Sequence, residues 1–240
     1  GIRDLVRSRG LGDVYKRQTW ERFMNNLPTV AVHDILIHPL YNDVIIGTHG
    51  RGIWICDDIT SLQQMTGKTE VASAYLFDQR IATQWADISR GGSRGQFLFR
   101  GENPPSGAMI SFYLGADARD PELNISDWKG EHAVEVELES QPGIHKHLWK
   151  FQFDPPELNE EEQKLFDRFI KATEWEERRE INEKLRESLE KRGQKYAGIN
   201  WREEKLNPIP AGPGAYKVTL TVNGMSMTKP LTVRKDPLFE

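Results

Sequence analysis

Cysteine is almost missing from this chain. Cys56 is the only one among 240 residues, so no disulfide can form within the chain, and a zinc site built from cysteine thiolates is excluded. Long apolar runs are missing too; none reaches the roughly 20 residues a helix needs to cross a bilayer. No glycine-rich run fits G-x-x-x-x-G-K-S/T or a strand-to-helix G-x-G-x-x-G, which excludes the common nucleotide-cradling loops. No serine or cysteine sits in a nucleophile-elbow turn. Positive charge is in deficit, with 32 Lys and Arg against 36 Asp and Glu, and a pI near 5.9. General nucleic-acid binding, which needs a basic footprint, is therefore not expected. What is present is a globular composition: 38% hydrophobic, 28% charged, seven Trp and ten Phe. That is enough apolar area for one large or two modest domains held together by burial alone.

The first eighteen residues, GIRDLVRSRGLGDVYKRQ, carry five bases and two acids and show neither useful strand alternation nor an apolar signal-peptide core. They resemble translated adapter sequence, and 1–18 is set aside as an artefact or a disordered tail. On that reading the chain is a fragment with its true start missing.

From Thr19 the pattern turns to strands. Val30, Val32, Ile35 and Ile37 form a β-rich run that Pro39 must end. Tyr41-Asn42-Asp43 is turn chemistry. Val44–Thr48 is too apolar to have a wet face and predicts a strand buried on both sides. Gly50 and Gly52 in His49-Gly50-Arg51-Gly52 permit a tight connection to a third strand, Ile53–Cys56. Three short strands joined by short turns are a meander, the unit of a propeller blade. Asp57 or Asp58 can cap a short helical turn bearing Ile59, Leu62 and Met65. The blade is placed at 19–66 and a linker at 67–94.

A second domain is placed at 95–240. Met109–Leu114 reads as a strand, and Val134, Val136 and Leu138 alternate with Glu135, Glu137 and Glu139. Trp149, Phe151 and Phe153 are expected on one face of a single strand. The strands 215–222 and 225–233 flank Asn223-Gly224, a strong hairpin signal. Short alternating strands with Gly/Pro turns predict a sandwich. A helical insert is expected over 159–193. Asn159 and Glu162 have capping-box spacing, Leu165 to Leu189 carry an apolar stripe, and Gly193 is the stop.

A family resemblance rests on particular residues. Thr19-Trp20 looks like the end of an S-x-D-x-G-x-T-W turn. The stretch LPTVAVHDILIHPLYNDVIIGTHGRGIWICDDIT keeps Asp34, His38, Pro39, Gly47 to Gly52, Trp54, Asp57 and Asp58 in the pattern V-x-D-L-x-x-H-P, then G-T-H-G-R-G-I/F-W-I-x-D-D. It resembles the last blade of bacterial BNR-repeat, sortilin-N-terminal-like propellers, often named glycosyl hydrolases. Cys56 stands where that family usually has leucine. The segments RGENPPSGAMISFYL, PGIHKHLWKFQFDPP and PAGPGAYKVTLTVNG are similar to that family's C-terminal Ig-like module, of the flagellar-hook-capping type. The resemblance implies a mainly β chain: a partial β-propeller blade followed by an Ig-like β-sandwich carrying the helical insert. It also implies an extracytoplasmic protein, secreted or periplasmic, that binds a glycan or protein ligand through the full propeller. The alternative is the scaffold end of an exo-acting glycoside hydrolase whose acids lie in upstream blades.

Candidate chemistry is sparse. His49 and Arg51 are the ligand-binding candidates, because a guanidinium binds carboxylates bidentately. His33 and His38, five apart on a strand, face opposite sides and are not expected to share a metal. His145 and His147 share the aromatic face of a core strand and read as packed. Asp34, Asp57, Asp58 and Glu102 do not supply the spaced carboxyl pair that glycoside hydrolysis needs. The expectation is thus no catalytic residue, no metal site, no cofactor, no nucleic acid and no membrane span.

Overall fold

In the computed structural model, residues 26–86 and 105–239 are described; the adapter-like segment, Thr19-Trp20 and Glu102 lie outside them. The chain is mainly β and divides into two compact units, 1–63 and 64–240.

In the first unit, β1 (Val32–Ile37), β2 (Val44–Thr48) and β3 (Ile53–Cys56) form an antiparallel meander in sequence order. The strand ends before His38-Pro39, and Asn42 supplies the turn with φ of 52°. A short helix, α1 (Thr60–Gln64), follows. Asp58 Oδ1 accepts from Thr60 N–H at 3.1 Å, so of the two aspartates Asp58 starts this turn. Its own N–H is held by Asp43 Oδ1 at 2.9 Å.

Cross-strand partners point to one side of a sheet. Leu36, Ile45 and Ile55 thus line one face, while Ile35, Ile46 and Trp54, with Ile37, Val44 and Cys56, line the other. Among the described residues of this unit, no second layer covers either face. Ile35, Leu36 and Ile37 are 52%, 56% and 48% exposed, and Ile53 and Ile55 are 73% and 60% exposed. Strand β2, expected to be buried on both sides, is only half-buried throughout. Its apolar character is as read, but the described residues of this unit supply no layer to lie on it.

The second unit begins with α2 (Gly67–Glu70), β4 (Ala74–Leu76) and β5 (Ala82–Gln84). These fall within the stretch read as a linker, of which 67–86 is described, and the two strands are built into the unit's sheets. Strand β6 (Ala108–Leu114) lies between β4 and β9 (Gly143–Trp149) in a three-stranded antiparallel sheet. Strands β7 (Glu122–Asp127) and β8 (Ala133–Glu137), with β14 (Gly214–Val222) and β15 (Met225–Lys235), form a five-stranded sheet with β5, ordered β5-β15-β14-β7-β8. The β5–β15 pairing is parallel and spans about 150 residues of chain, joining Val233 to Ala82. Asn223 and Gly224 take φ of 53° and 74° and close the β14–β15 hairpin as the sequence predicts. Both sheets contribute to one core, with Leu76, Ile110, Phe112 and Leu114 from the first and Leu123, Ile125, Val218, Leu220, Leu231 and Val233 from the second.

The aromatic strand breaks where the sequence reading ran it through. Strand β9 ends at Trp149 and Phe151 turns left-handed with φ of 57°. The chain then re-enters as β10 (Gln152–Phe153), paired with β13 (Ile209–Pro210). The rings still converge: Trp149 lies 5.6 Å from both Phe151 and Phe153 and 4.9 Å from Tyr216. A kink, rather than alternation on one strand, brings them together.

Helices α3 (Glu160–Lys171) and α4 (Trp175–Lys191) form the insert. The Asn159–Glu162 capping box is made in both directions. Gly193 takes φ of 73°, which lets Gln194 N–H bond back to the Leu189 carbonyl at 2.9 Å. Phe169, Ile181, Leu185 and Leu189 are buried. They pack with Leu165, Tyr196, Ile199 and Leu206, the last two from the small hairpin of β11 (Ile199–Asn200) and β12 (Lys205–Leu206), and these clusters contain no residue of the main core. The insert is therefore a satellite with its own apolar centre. Among the described residues no helix is long and apolar enough to cross a membrane.

Candidate functional site

The β2–β3 connection carries both sequence-derived candidates. Gly50 and Gly52 adopt φ of 69° and 76°, which side-chain-bearing residues rarely tolerate. The loop is tied by its backbone: Thr48 N–H and Oγ1–H both donate to the Gly52 carbonyl, at 3.2 and 2.7 Å. Trp54 Nε1–H donates to the Arg51 carbonyl at 3.0 Å. His49 N–H donates to the Ala31 carbonyl at 2.9 Å, fastening the loop to the start of β1. Architecture is thus provided by main-chain groups and Trp54. The Arg51 side chain is exposed and makes no hydrogen bond or ion pair with a described residue.

A β-bulge falls between Val32 and Asp34, so that His33 is the extra residue. Bulges re-aim a side chain, and here the His33 ring stacks on His49 with centroids 5.0 Å apart and planes 17° from parallel. Sequence alternation alone does not reveal this pair. His38 is engaged elsewhere: its Nδ1 accepts from the N–H groups of Leu40 and Tyr41, both at 3.2 Å, and shapes the turn. Asp34 Oδ1 accepts from its neighbour Ile35 N–H at 2.9 Å, and Asp58 is buried in the capping role described above. These two carboxylates serve local backbone groups. In the second unit His145 stacks on Phe112 at 5.5 Å, and burial lowers the affinity of the His147 ring for its proton, as for packed histidines.

Because Arg51 is tied only through its backbone, Arg51→Ala is expected to change stability by no more than about 0.5 kcal/mol. Denaturant melts followed by tryptophan fluorescence would check this. A loss of a full kcal/mol would assign the guanidinium a packing role.

A further cluster escaped the sequence reading. At the tip of the β7–β8 hairpin, ligand atoms of Asp127, Glu131 and His132 all lie within 4.8 Å of one another. Asp127 Oδ1 accepts from the N–H groups of Gly130 and Glu131, at 2.5 and 3.0 Å. Partial burial works to raise the Asp127 carboxyl, but those amides and the nearby His132 outweigh it and hold the group below the usual aspartate range. The only sequence signal is an aspartate, then Gly130-Glu131-His132, between two alternating strands; this is too short to separate a ligand set from an ordinary polar turn.

Comparison of the chain with protein-family models, with curated proteins and with solved structures finds no match. Fold and site define a class: a mainly β chain in which a three-stranded meander, uncovered among the described residues of its unit, precedes a two-sheet unit bearing a helical satellite.

Proposed function

We propose that this chain is the closing blade and Ig-like β-sandwich of an extracytoplasmic BNR-repeat, sortilin-like β-propeller protein, and that it serves binding of a protein or glycan ligand rather than catalysis. The observation that carries the reading is the meander with apolar residues on both faces and no second layer among the described residues of its unit. Such a sheet gains its stability when neighbouring sheets stack on both sides, as blades do in a ring. Left bare, it exposes Ile35, Leu36, Ile37, Ile53 and Ile55, a grouping of apolar side chains of the kind that marks an interaction surface. The connection bearing His49 and Arg51 then lies at a blade rim, with a guanidinium free to meet a carboxylate-bearing ligand. The engagement of Asp34 with the Ile35 N–H and of Asp58 with the Thr60 N–H further favours binding over hydrolysis.

Two measurements test it. The genomic sequence ahead of Thr19 should encode repeated S-x-D-x-G-x-T-W turns, one per blade; its continuation without such repeats would remove the propeller. The protein carrying those blades should bind on glycan or protein arrays, with Arg51→Ala weakening binding at unchanged melting temperature. Hydrolysis of glycans with no separable binding would overturn the non-catalytic reading.

A further inference from the structure

We propose that the helical satellite carries a docking site for an acidic peptide segment of a partner protein, centred on Arg178, Arg202 and the two exposed tryptophans beside them. The Arg178 guanidinium carbon lies 5.8 Å from the centre of the buried Phe169 ring and 5.7 Å from that of Trp201. The Arg202 guanidinium carbon lies 5.3 Å from the same Trp201 ring. A guanidinium held over a ring keeps its N–H edges available. Arg178 Nε–H donates to the Ala172 carbonyl at 2.8 Å. Its terminal nitrogens, and the whole Arg202 fork, make no hydrogen bond or ion pair with a described residue. The acids nearby do not take these donors: Glu177 pairs with Arg168 at 2.7 Å, and Glu203 pairs with Lys205 rather than with the adjacent Arg202.

The parts are fixed before a ligand arrives. Phe169 and Ala172 belong to α3 and its end, and Arg178 to α4. Asn200 Oδ1 accepts from the N–H groups of Arg202 and Glu203, at 3.2 and 3.3 Å, and shapes the β11–β12 turn that carries Trp201. Groups ordered in advance lose little entropy on binding. Trp201 is 54% exposed, and Trp175, one helical turn before Arg178, is 72% exposed. Trp and Arg are the residue types that carry most of the energy of protein interfaces. Two free forks suit bidentate carboxylates, and Trp175 offers an apolar side chain its place beside them. Glu174, Glu176 and Glu204 adjoin these residues in sequence and are exposed. They disfavour a uniformly anionic polymer and select a segment whose acids are flanked by neutral or basic residues. The site belongs to the second unit and does not depend on the propeller reading.

The test pans a phage-displayed random peptide library against the full chain and measures the enriched peptides, synthesised with a fluorophore, by anisotropy. They should share a pair of acids and shift the indole N–H resonances of Trp175 and Trp201. They should bind Arg202→Ala about tenfold or more weakly than wild type. Arg202→Lys, which keeps the charge and loses the planar fork, should also bind more weakly. Because the Arg202 side chain is exposed and stacked on an exposed ring, neither variant should change the circular dichroism spectrum. Enrichment of no acidic peptides would overturn the proposal, as would equal binding by wild type and both variants. So would Arg202-dependent binding of polygalacturonate without binding of any peptide, which would make the partner an acidic polysaccharide.

Discussion

A chain trimmed to begin at Gln64 is expected to melt as one cooperative unit, whereas a chain begun at residue 95, where the sequence reading places the second domain, is expected to lose that transition. The shorter piece lacks β4 and β5. It loses Leu76 and Phe77, which are 1% and 0% exposed, and Ala82 at 7%. Burying each of the two large side chains is worth about 1.5–3 kcal/mol, and the cavities left behind add to the loss. The buried Ser111 also loses its partners: its N–H donates to Gln79 Oε1 at 2.9 Å and its carbonyl accepts from Gln79 Nε2 at 3.1 Å. Removing β5 strips a parallel neighbour from β15 and exposes that strand's edge. Against a total stability of about 5–15 kcal/mol for a domain, these losses suffice to unfold it. Circular dichroism melts of the two pieces decide the matter; equal cooperative transitions would show that β4 and β5 are dispensable.

Arg192→Ala should destabilise the helical satellite by about 2–4 kcal/mol, the range for stripping one partner from a buried charge when that partner is itself part-exposed. Glu162 has no exposed side-chain surface, while Arg192 is 39% exposed. The carboxylate accepts from Asn159 N–H at 3.0 Å, Ser188 Oγ–H at 2.8 Å, Arg192 Nε–H at 3.1 Å and Arg192 Nη2–H at 2.6 Å. One residue thus completes the cap of α3 and fastens it to the far end of α4. Glu162→Gln with Arg192→Ala should cost less than the sum of the single changes, because no bare charge then remains.

Acid should act on the same network. Burial alone would raise the Glu162 carboxyl, but the Asn159 amide, Ser188 and Arg192 outweigh it and hold the group below the ordinary glutamate range. A group depressed in the folded state stabilises fully above its unfolded value. That contribution is lost as the pH falls from about 4.3 through the lower folded value. Wild type should therefore lose stability below about pH 4 more steeply than Glu162→Gln, as read by the helical signal at 222 nm. Parallel acid profiles for the two would refute the role given to the carboxylate.

Local chemistry made much of this legible. The Asn223-Gly224 hairpin, the Asn159–Glu162 cap, the Gly193 stop and the glycines flanking Arg51 each depend on residues a few positions apart, and the structure forms all of them. Where a bulge or kink intervenes, reading by alternation fails. The bulge at His33 rotates that ring onto His49. The left-handed Phe151 splits one expected strand into two sheets while keeping the aromatic rings together. Both depend on the pairing partner, which periodicity does not name.

From its order of residues alone, the chain determined that it would be mainly β, where the Asn223-Gly224 hairpin and the Gly50/Gly52 turn fall, and that a capped helix follows Asn159, because backbone preference and capping act over one or two turns of chain. Tertiary structure alone decided that β5 lies beside β15, that Glu162 meets Arg192, and that Asp127, Glu131 and His132 converge at one hairpin tip. It also decided that the described residues of the first unit lay no second layer on its meander. These outcomes depend on which faces come to pack together, and apolar attraction, being non-directional, leaves that choice to the shape of the whole core.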